Sequence, residues 1–290
     1  MSLTKPLTIF ISGGSSGLGL SIAQEALKAG HKVIATSRSV DKAREQNPKF
    51  ETAGGQWFQL DVTHKDTTEK VSQIVTQKDV DLVVNSAGYA AIGAFEDFTD
   101  EEMQRQFDVN VYGLARVCRG AIPHFRERRS GAIVNIGSGA GFRGIQARSL
   151  YAGTKFAVAG MTEALFAELS VFNIKVILVE AGAFQTPFAD NIVYPKKETG
   201  DYDGTPAGDM IKLHRNASQI SGNAGLPNEA ANRILEAVTG NGLGAKIGDS
   251  VRLILGSDCF KSLKVKMDEL NVTYSRNEEI ASSTDSQEKN

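Results

Sequence analysis

Six short apolar runs, each followed by a longer stretch with helical spacing, constrain this chain more than anything else in it. The runs are 7–11, 32–36, 56–60, 81–84, 132–136 and 175–179. Near-continuous β-branched runs of this length are the mark of strands buried on both faces, as in a parallel sheet between two helical layers. The stretches between them carry Ala, Leu, Glu and Lys at helical spacing, most clearly over 17–29, 64–77, 100–128 and 150–171. Strand–helix alternation closes only as an α/β doubly wound sheet with right-handed crossovers. A last strand at 252–255 brings the expected sheet to about seven strands, between a helix over 227–239 and another over 258–271.

No linker or repeat divides the chain, so 1–276 reads as a single Rossmann-type domain. After 179 the alternation stops. Residues 181–226 are rich in Gly, Asp, Asn and Pro, and a stretch this long in a compact domain is commonly a functional lid. We expect the lid over about 183–226, with a short helix inside 205–221, and a polar, disordered tail over 277–290.

Composition removes several classes. Hydrophobic residues make up 41% of the 290 and charged residues 23%, enough for a normal core. The net charge of −2 supplies no basic field for nucleic acid. Two cysteines, Cys118 and Cys259, do not make a disulfide framework, and the four histidines lack metal-ligand spacing. No run reaches the 18 or so apolar residues of a membrane span, and residues 1–5 lack the apolar stretch of a signal peptide. The expected location is cytoplasmic.

Two places carry chemistry. The first apolar run leads into Ser12-Gly13-Gly14-Ser15-Ser16-Gly17-Leu18-Gly19 and then a helix. Glycines let backbone approach a ligand closely, and the N–H groups of a helix start attract an anion. In the first βα unit this reads as a phosphate-binding loop. It is not the P-loop pattern, because no Lys-Ser/Thr follows the last glycine. The second place is a helix bearing Tyr151 and Lys155, four residues apart and therefore on one face. A nearby cation favours a phenolate, so such a tyrosine can trade a proton with a substrate oxygen.

Together these motifs resemble the short-chain dehydrogenase/reductase family. Ser12–Gly19 is similar to its T-G-x-x-x-G-x-G loop, Asn85-Ser86-Ala87-Gly88 to N-N-A-G, and Asn110 to its helix asparagine. Ser138 lies thirteen residues before Tyr151, and Tyr151-Ala152-Gly153-Thr154-Lys155 fits Y-x-x-x-K. The resemblance implies that Tyr151 is the general acid/base and that Lys155 lowers its pKa and holds the nicotinamide ribose. It further implies that Ser138 orients the reacting oxygen and that Asn110 helps hold a water relaying protons to Lys155. Cofactor contacts would come from Gly13, Ser15, Ser16, Gly17, Leu18 and Gly19, from Asn85, Ala87 and Gly88, and from Asp61-Val62 at the adenine. The segment Ala181-Gly182-Ala183-Phe184-Gln185-Thr186 resembles P-G-x-x-x-T, with Ala181 for proline, and would place Gly182, Ala183 and Thr186 at the nicotinamide.

Cofactor choice is read at the end of the second run, where an acid selects a free ribose hydroxyl and a base a 2′-phosphate. Ser37-Arg38 stands there, which points to NADP(H). Pocket candidates are Ser138, Phe142, Ile145, Phe184 and Phe188, a largely apolar set suited to a medium-sized lipophilic or secondary-metabolite ketone, aldehyde or alcohol. Arg143 reads as a solvated side chain. Two other readings share the scaffold: an NADP(H)-binding regulator without catalysis, and a redox-neutral epimerase or cyclase. The resemblance also implies a homodimer or homotetramer packed through 100–128 and 150–171, where Ala157, Ala159, Gly160 and Ala164 permit close approach.

Overall fold

The computed structural model describes residues 5–216 and 224–285. Its centre is one sheet of seven parallel strands: β1 (Thr8–Ser12), β2 (Lys32–Ser37), β3 (Gln56–Gln59), β4 (Leu82–Asn85), β5 (Gly131–Ile136), β6 (Ile174–Ala181) and β7 (Arg252–Leu255). They lie in the order β3-β2-β1-β4-β5-β6-β7, all neighbours parallel. The chain starts in the middle, winds outward to β3, then returns to the far side of β1 through β4. That reversal between β1 and β4 is the switch point where open α/β sheets bind ligands.

Alternation along each strand divides the core into two layers. Ile9 and Ile11 of β1 pack with α1 (Gly17–Lys28) and α8 (Pro227–Thr239). Phe10 between them points the other way, to the layer of α3 (Thr67–Gln77), α5 (Leu114–Arg128) and α6 (Ser149–Ser170). All three side chains are fully buried, the burial that near-continuous apolar strands imply.

The expected strands fall within two residues of those observed. The helices depart in three places. A short α2 (Val40–Gln46), capped by Ser39, follows β2 where no helix was expected. The stretch expected as one helix over 100–128 is α4 (Asp100–Phe107) and α5, joined by a π-helical turn over Asp108–Gly113. The last helix, α9 (Ser257–Ser282), runs well past the expected end at 271 and occupies much of the expected tail. Its outer half is exposed and held by local bonds, such as Thr273 Oγ1 to the Glu269 carbonyl (3.0 Å) and Asn277 Nδ2 to that of Thr273 (2.8 Å). A polar segment reads the same whether it is a solvated helix or a free tail, so composition could not separate the two.

The lid has more order than its composition suggests. Single bridges join Ala91 to Val193 and Phe184 to Gly225, and α7 (Pro206–Arg215) fills the first part of the expected helix. The remainder, over 217–221, lies outside the described residues. Among the described residues no helix is long and apolar enough to cross a membrane. Both cysteines are buried free thiols.

Candidate active site

The phosphate loop is shaped by its glycines. Gly13 has φ +68°, and a Cβ there would sit 2.6 Å from the Ala87 Cα. A Cβ on Gly19 would sit 2.4 Å from the Gly13 carbonyl oxygen. Gly17, at φ +57°, opens α1 and faces only Thr186, 3.9 Å from where its Cβ would be. Ser16, the residue before α1, makes no side-chain cap, so the first-turn N–H groups remain available. This is a cradle with backbone donors and free space in front, the fit a pyrophosphate requires. The unforeseen α2 supports it, since Asn47 Nδ2 donates to the Ser15 carbonyl at 3.2 Å.

Ser37 and Arg38 close the far end of this cradle. The Ser37 hydroxyl donates to the Ser39 carbonyl at 3.0 Å, and Arg38 is exposed. Burial pushes the Asp61 carboxyl upward, but two hydrogen bonds from Thr63, with the charges of His64 and Arg38, hold it below its ordinary value. Val62 is buried against Gly113. The side chain of Asn85 is used inside the sheet: its Nδ2 donates to Asn135 Oδ1 at 2.9 Å, tying β4 to β5. Any cofactor contact at this position therefore falls to the backbone of the Asn85–Gly88 turn.

The departure at Ala181 has a compensation. Asp258, in the first turn of α9, accepts from the Ala183 N–H at 2.9 Å, while the Gly182 N–H donates to the Leu255 carbonyl at 2.8 Å. A Cβ on Gly182 would strike the Asp258 carboxylate. A side chain far along the sequence thus fixes the turn that a proline would pre-set. Thr186 follows, facing Gly17 across the cradle.

Tyr151 and Lys155 are both buried on one face of α6. Lys155 Nζ donates to the Ile136 carbonyl at 2.7 Å and lies 5.8 Å from the centroid of the Tyr151 ring. Burial lowers its pKa to about 8, against the charge of Glu180. Glu180, fully buried on β6, is pushed up to about 7 by burial, opposed first by its ion pair with Arg252. Burial likewise raises the Tyr151 phenol, opposed by the Ser138 hydroxyl and the charge of Arg148, so the lowering by Lys155 that the resemblance implies is outweighed by burial. At neutral pH the phenol keeps its proton, the form that can donate one.

Asn110 sits in the π-helical turn. Its Oδ1 accepts from the Tyr89 N–H at 3.1 Å, and its Nδ2 donates to the Tyr89 carbonyl (2.9 Å) and Thr154 Oγ1 (3.1 Å). Thr154 in turn donates to the Tyr151 carbonyl at 2.7 Å. The asparagine therefore braces both the 88–89 turn and α6. Ser138 Oγ accepts from the Ala140 N–H at 3.1 Å, which orients the hydroxyl.

The expected pocket residues scatter. Phe188, with its ring centroid 6.0 Å from that of Tyr151, stands at the reacting group. Phe142 lies beneath the Arg252 guanidinium (5.5 Å), Phe184 packs against the α1–α8 layer, and Ile145 lines an open cleft with Arg143. Arg143 pairs with Glu269 of α9 at 3.1 Å. The wall nearest Tyr151 is completed by Ala90, Ile92 and Ile211, with Ile192, Tyr194 and Met210, residues of the 89–92 loop and the lid. Met210 and Ile211 are carried there by α7, Ile192 and Tyr194 by the lid segment before it, and Ala90 and Ile92 by the loop after β4.

The family model described as short chain dehydrogenase matches residues 7–197. An oxidoreductase of Passalora fulva, claN, is 40% identical over 182 residues, which are 62% of this chain and 84% of that protein. A 3-ketodihydrosphingosine reductase of Bacteroides thetaiotaomicron is 37% identical over 189 residues, 64% of this chain and 67% of its own. A short-chain dehydrogenase structure from Streptomyces avermitilis superimposes with a TM-score of 0.85 at 30% identity, covering 98% of this chain and all of that one. With the glycine cradle, the buried Tyr151–Lys155 pair and the switch-point sheet in place, these matches show that the chain belongs to the short-chain dehydrogenase family.

Proposed function

We propose that the protein is an NADP(H)-dependent oxidoreductase that interconverts a ketone or aldehyde with an alcohol on a medium-sized, largely lipophilic substrate. The observation that carries this is the buried stripe of Tyr151 and Lys155 beside Ser138, at the strand ends next to the glycine cradle. When bound, the nicotinamide supplies or accepts the hydride. The chain's own work is binding, orientation and proton transfer. In reduction the Ser138 hydroxyl donates a hydrogen bond to the substrate carbonyl oxygen, and Tyr151 gives that oxygen its proton as negative charge builds there. Lys155 stabilises the resulting phenolate and holds the cofactor ribose. Asn110 keeps α6 and the 88–89 turn in register around them. In oxidation Tyr151 takes the proton back.

Exposed Arg38, at the end of β2, supports the NADP(H) preference, since a guanidinium can clasp a 2′-phosphate with two charge-assisted bonds. Calorimetric titration with NADPH and with NADH tests this. We expect NADPH to bind at least about tenfold more tightly, about 1.4 kcal/mol, and Arg38→Ala to erase most of the difference. Equal affinities in the unaltered protein would overturn the preference. Tyr151→Phe tests the reaction: NADPH binding should persist while carbonyl reduction is lost. Retained NADPH binding and partner capture, with no turnover in either protein, would favour a regulator instead.

A further inference from the structure

The stripe on α6 has a third member. It is Arg148, the residue just before α6, three residues ahead of Tyr151, whose charge reaches the phenol from the side opposite Lys155. The two ends of the stripe are housed differently. Lys155 faces the strand ends, where the Ile136 carbonyl receives it and the Glu180 carboxylate lies within electrostatic reach. Arg148 faces the lid. Its Nε is buried without a hydrogen-bond partner, and its one hydrogen bond among the described residues is a long contact (3.9 Å) from a terminal nitrogen to the Met210 sulfur. No acid pairs with it among the described residues, and none of residues 217–223 is acidic. One turn beyond Met210 on α7, His214 is 7% exposed, and its Nδ1 is also buried without a partner.

A buried N–H donor such as the Arg148 Nε is ordinarily matched by an acceptor, because leaving it unmatched is costly. Here two nitrogen groups converge under the lid with no anion between them, one helical turn from the catalytic tyrosine. The nearby wall is largely apolar: among the side chains of Ile192, Tyr194, Met210 and Ile211 the acceptors are the weak Met210 sulfur and the Tyr194 hydroxyl. We propose that Arg148 and His214 form an anion subsite of the reaction pocket, and that the substrate carries a carboxylate a few bonds from its reacting carbon. The planar fork of Arg148 would take both carboxylate oxygens, and the unpartnered His214 nitrogen lies on the same side as a further contact. The apolar wall would hold the rest of the molecule. This inference rests on the carbonyl/alcohol reading of Tyr151 and narrows its substrate class.

The test uses the full chain with NADPH and straight-chain keto acids of graded length, each paired with its methyl ester. We expect the best acid to exceed its ester by roughly tenfold or more in kcat/KM, chiefly through KM, the scale of a hydrogen bond to a charged group. Arg148→Met, which keeps an unbranched apolar stem, should erase that preference while leaving NADPH affinity and the thermal transition intact. Arg148→Lys should restore part of it, and His214→Phe should weaken it. Equal use of acid and ester, or a preference that survives Arg148→Met, would overturn the proposal. If neither acid nor ester turns over although NADPH binds, the carbonyl reading is what fails. Titration of the same acids and esters into the NADP+ complex then decides the subsite. Acid-selective binding lost in Arg148→Met supports it, and absent or unselective binding overturns it.

Discussion

Lys155 and Arg148 are cations on either side of the same phenol, Lys155 buried within α6 and Arg148 part-buried just before its first turn, yet the protein treats them in opposite ways. Around Lys155 everything is provided: a carbonyl at hydrogen-bond distance, a carboxylate within electrostatic reach, and Arg252, itself also paired with Glu163, to hold that carboxylate. Around Arg148 almost nothing is provided beyond a thioether. The difference teaches where this site is finished by the fold and where it is left open. Strands β5 and β6 set the Lys155 side, and their parallel register leaves little freedom. The Arg148 side is covered by α7, part of a lid joined to the rest by single bridges and surface contacts.

The comparison can be broken most forcefully at its centre. Tyr151→Phe is expected to lower carbonyl reduction by about 10²–10⁴-fold, the usual worth of a positioned general acid, with cofactor affinity unchanged by titration. A loss of only a few-fold would mean that the phenol is not the proton donor and that neither cation serves it.

Stability then separates the two sides. Lys155→Met strands the Ile136 carbonyl and leaves Glu180 with one less positive neighbour, so it should cost about 1–3 kcal/mol by denaturant midpoint. Arg148→Met removes a part-buried charge that has no anion among the described residues, and should leave the denaturant midpoint close to that of the unaltered protein. Equal losses in the two variants would erase the distinction. Between them lies Asp258→Ala, which unties the 182–183 turn. We expect a cost of about 1–2 kcal/mol together with a several-fold weaker cofactor.

The pH profile gives the smallest and sharpest test. Lys155, lowered to about 8 by burial, carries its charge below that pH and loses it above. Reduction should therefore fall as pH rises through about 8. Glu180 acts to raise the lysine, so Glu180→Gln should move that limb to lower pH. An unmoved limb would show that it belongs to another group.

Much of this was legible in the chain. Near-continuous apolar runs gave the parallel sheet, and the motif spacing placed Gly13, Ser138, Tyr151 and Lys155 together. Three features were not. Asp258 replaces the stiffening of a missing proline from more than seventy residues away, which no local window contains. Asn85 looks like a cofactor contact by motif, but its carboxamide is consumed by Asn135, a partner set by strand order. Arg148 resembles Arg143 in sequence, two basic residues in one loop. Arg143 reaches Glu269 at the surface, while Arg148 is part-buried against Met210 of α7. Burial by a distant element, rather than residue type, separates the two.

The π-helical turn over Asp108–Gly113 carries a last consequence. Its hydrogen bonds span one residue more than those of an α-helix, so it behaves as an insertion absorbed without a loop. Deleting one residue between 108 and 113 would let α4 and α5 merge into one continuous α-helix. The helix would be the better for it, and Asn110 would turn away from Tyr89 and Thr154. At this point the chain's reading frame in space is set by an imperfection, and mending it would unmake the site.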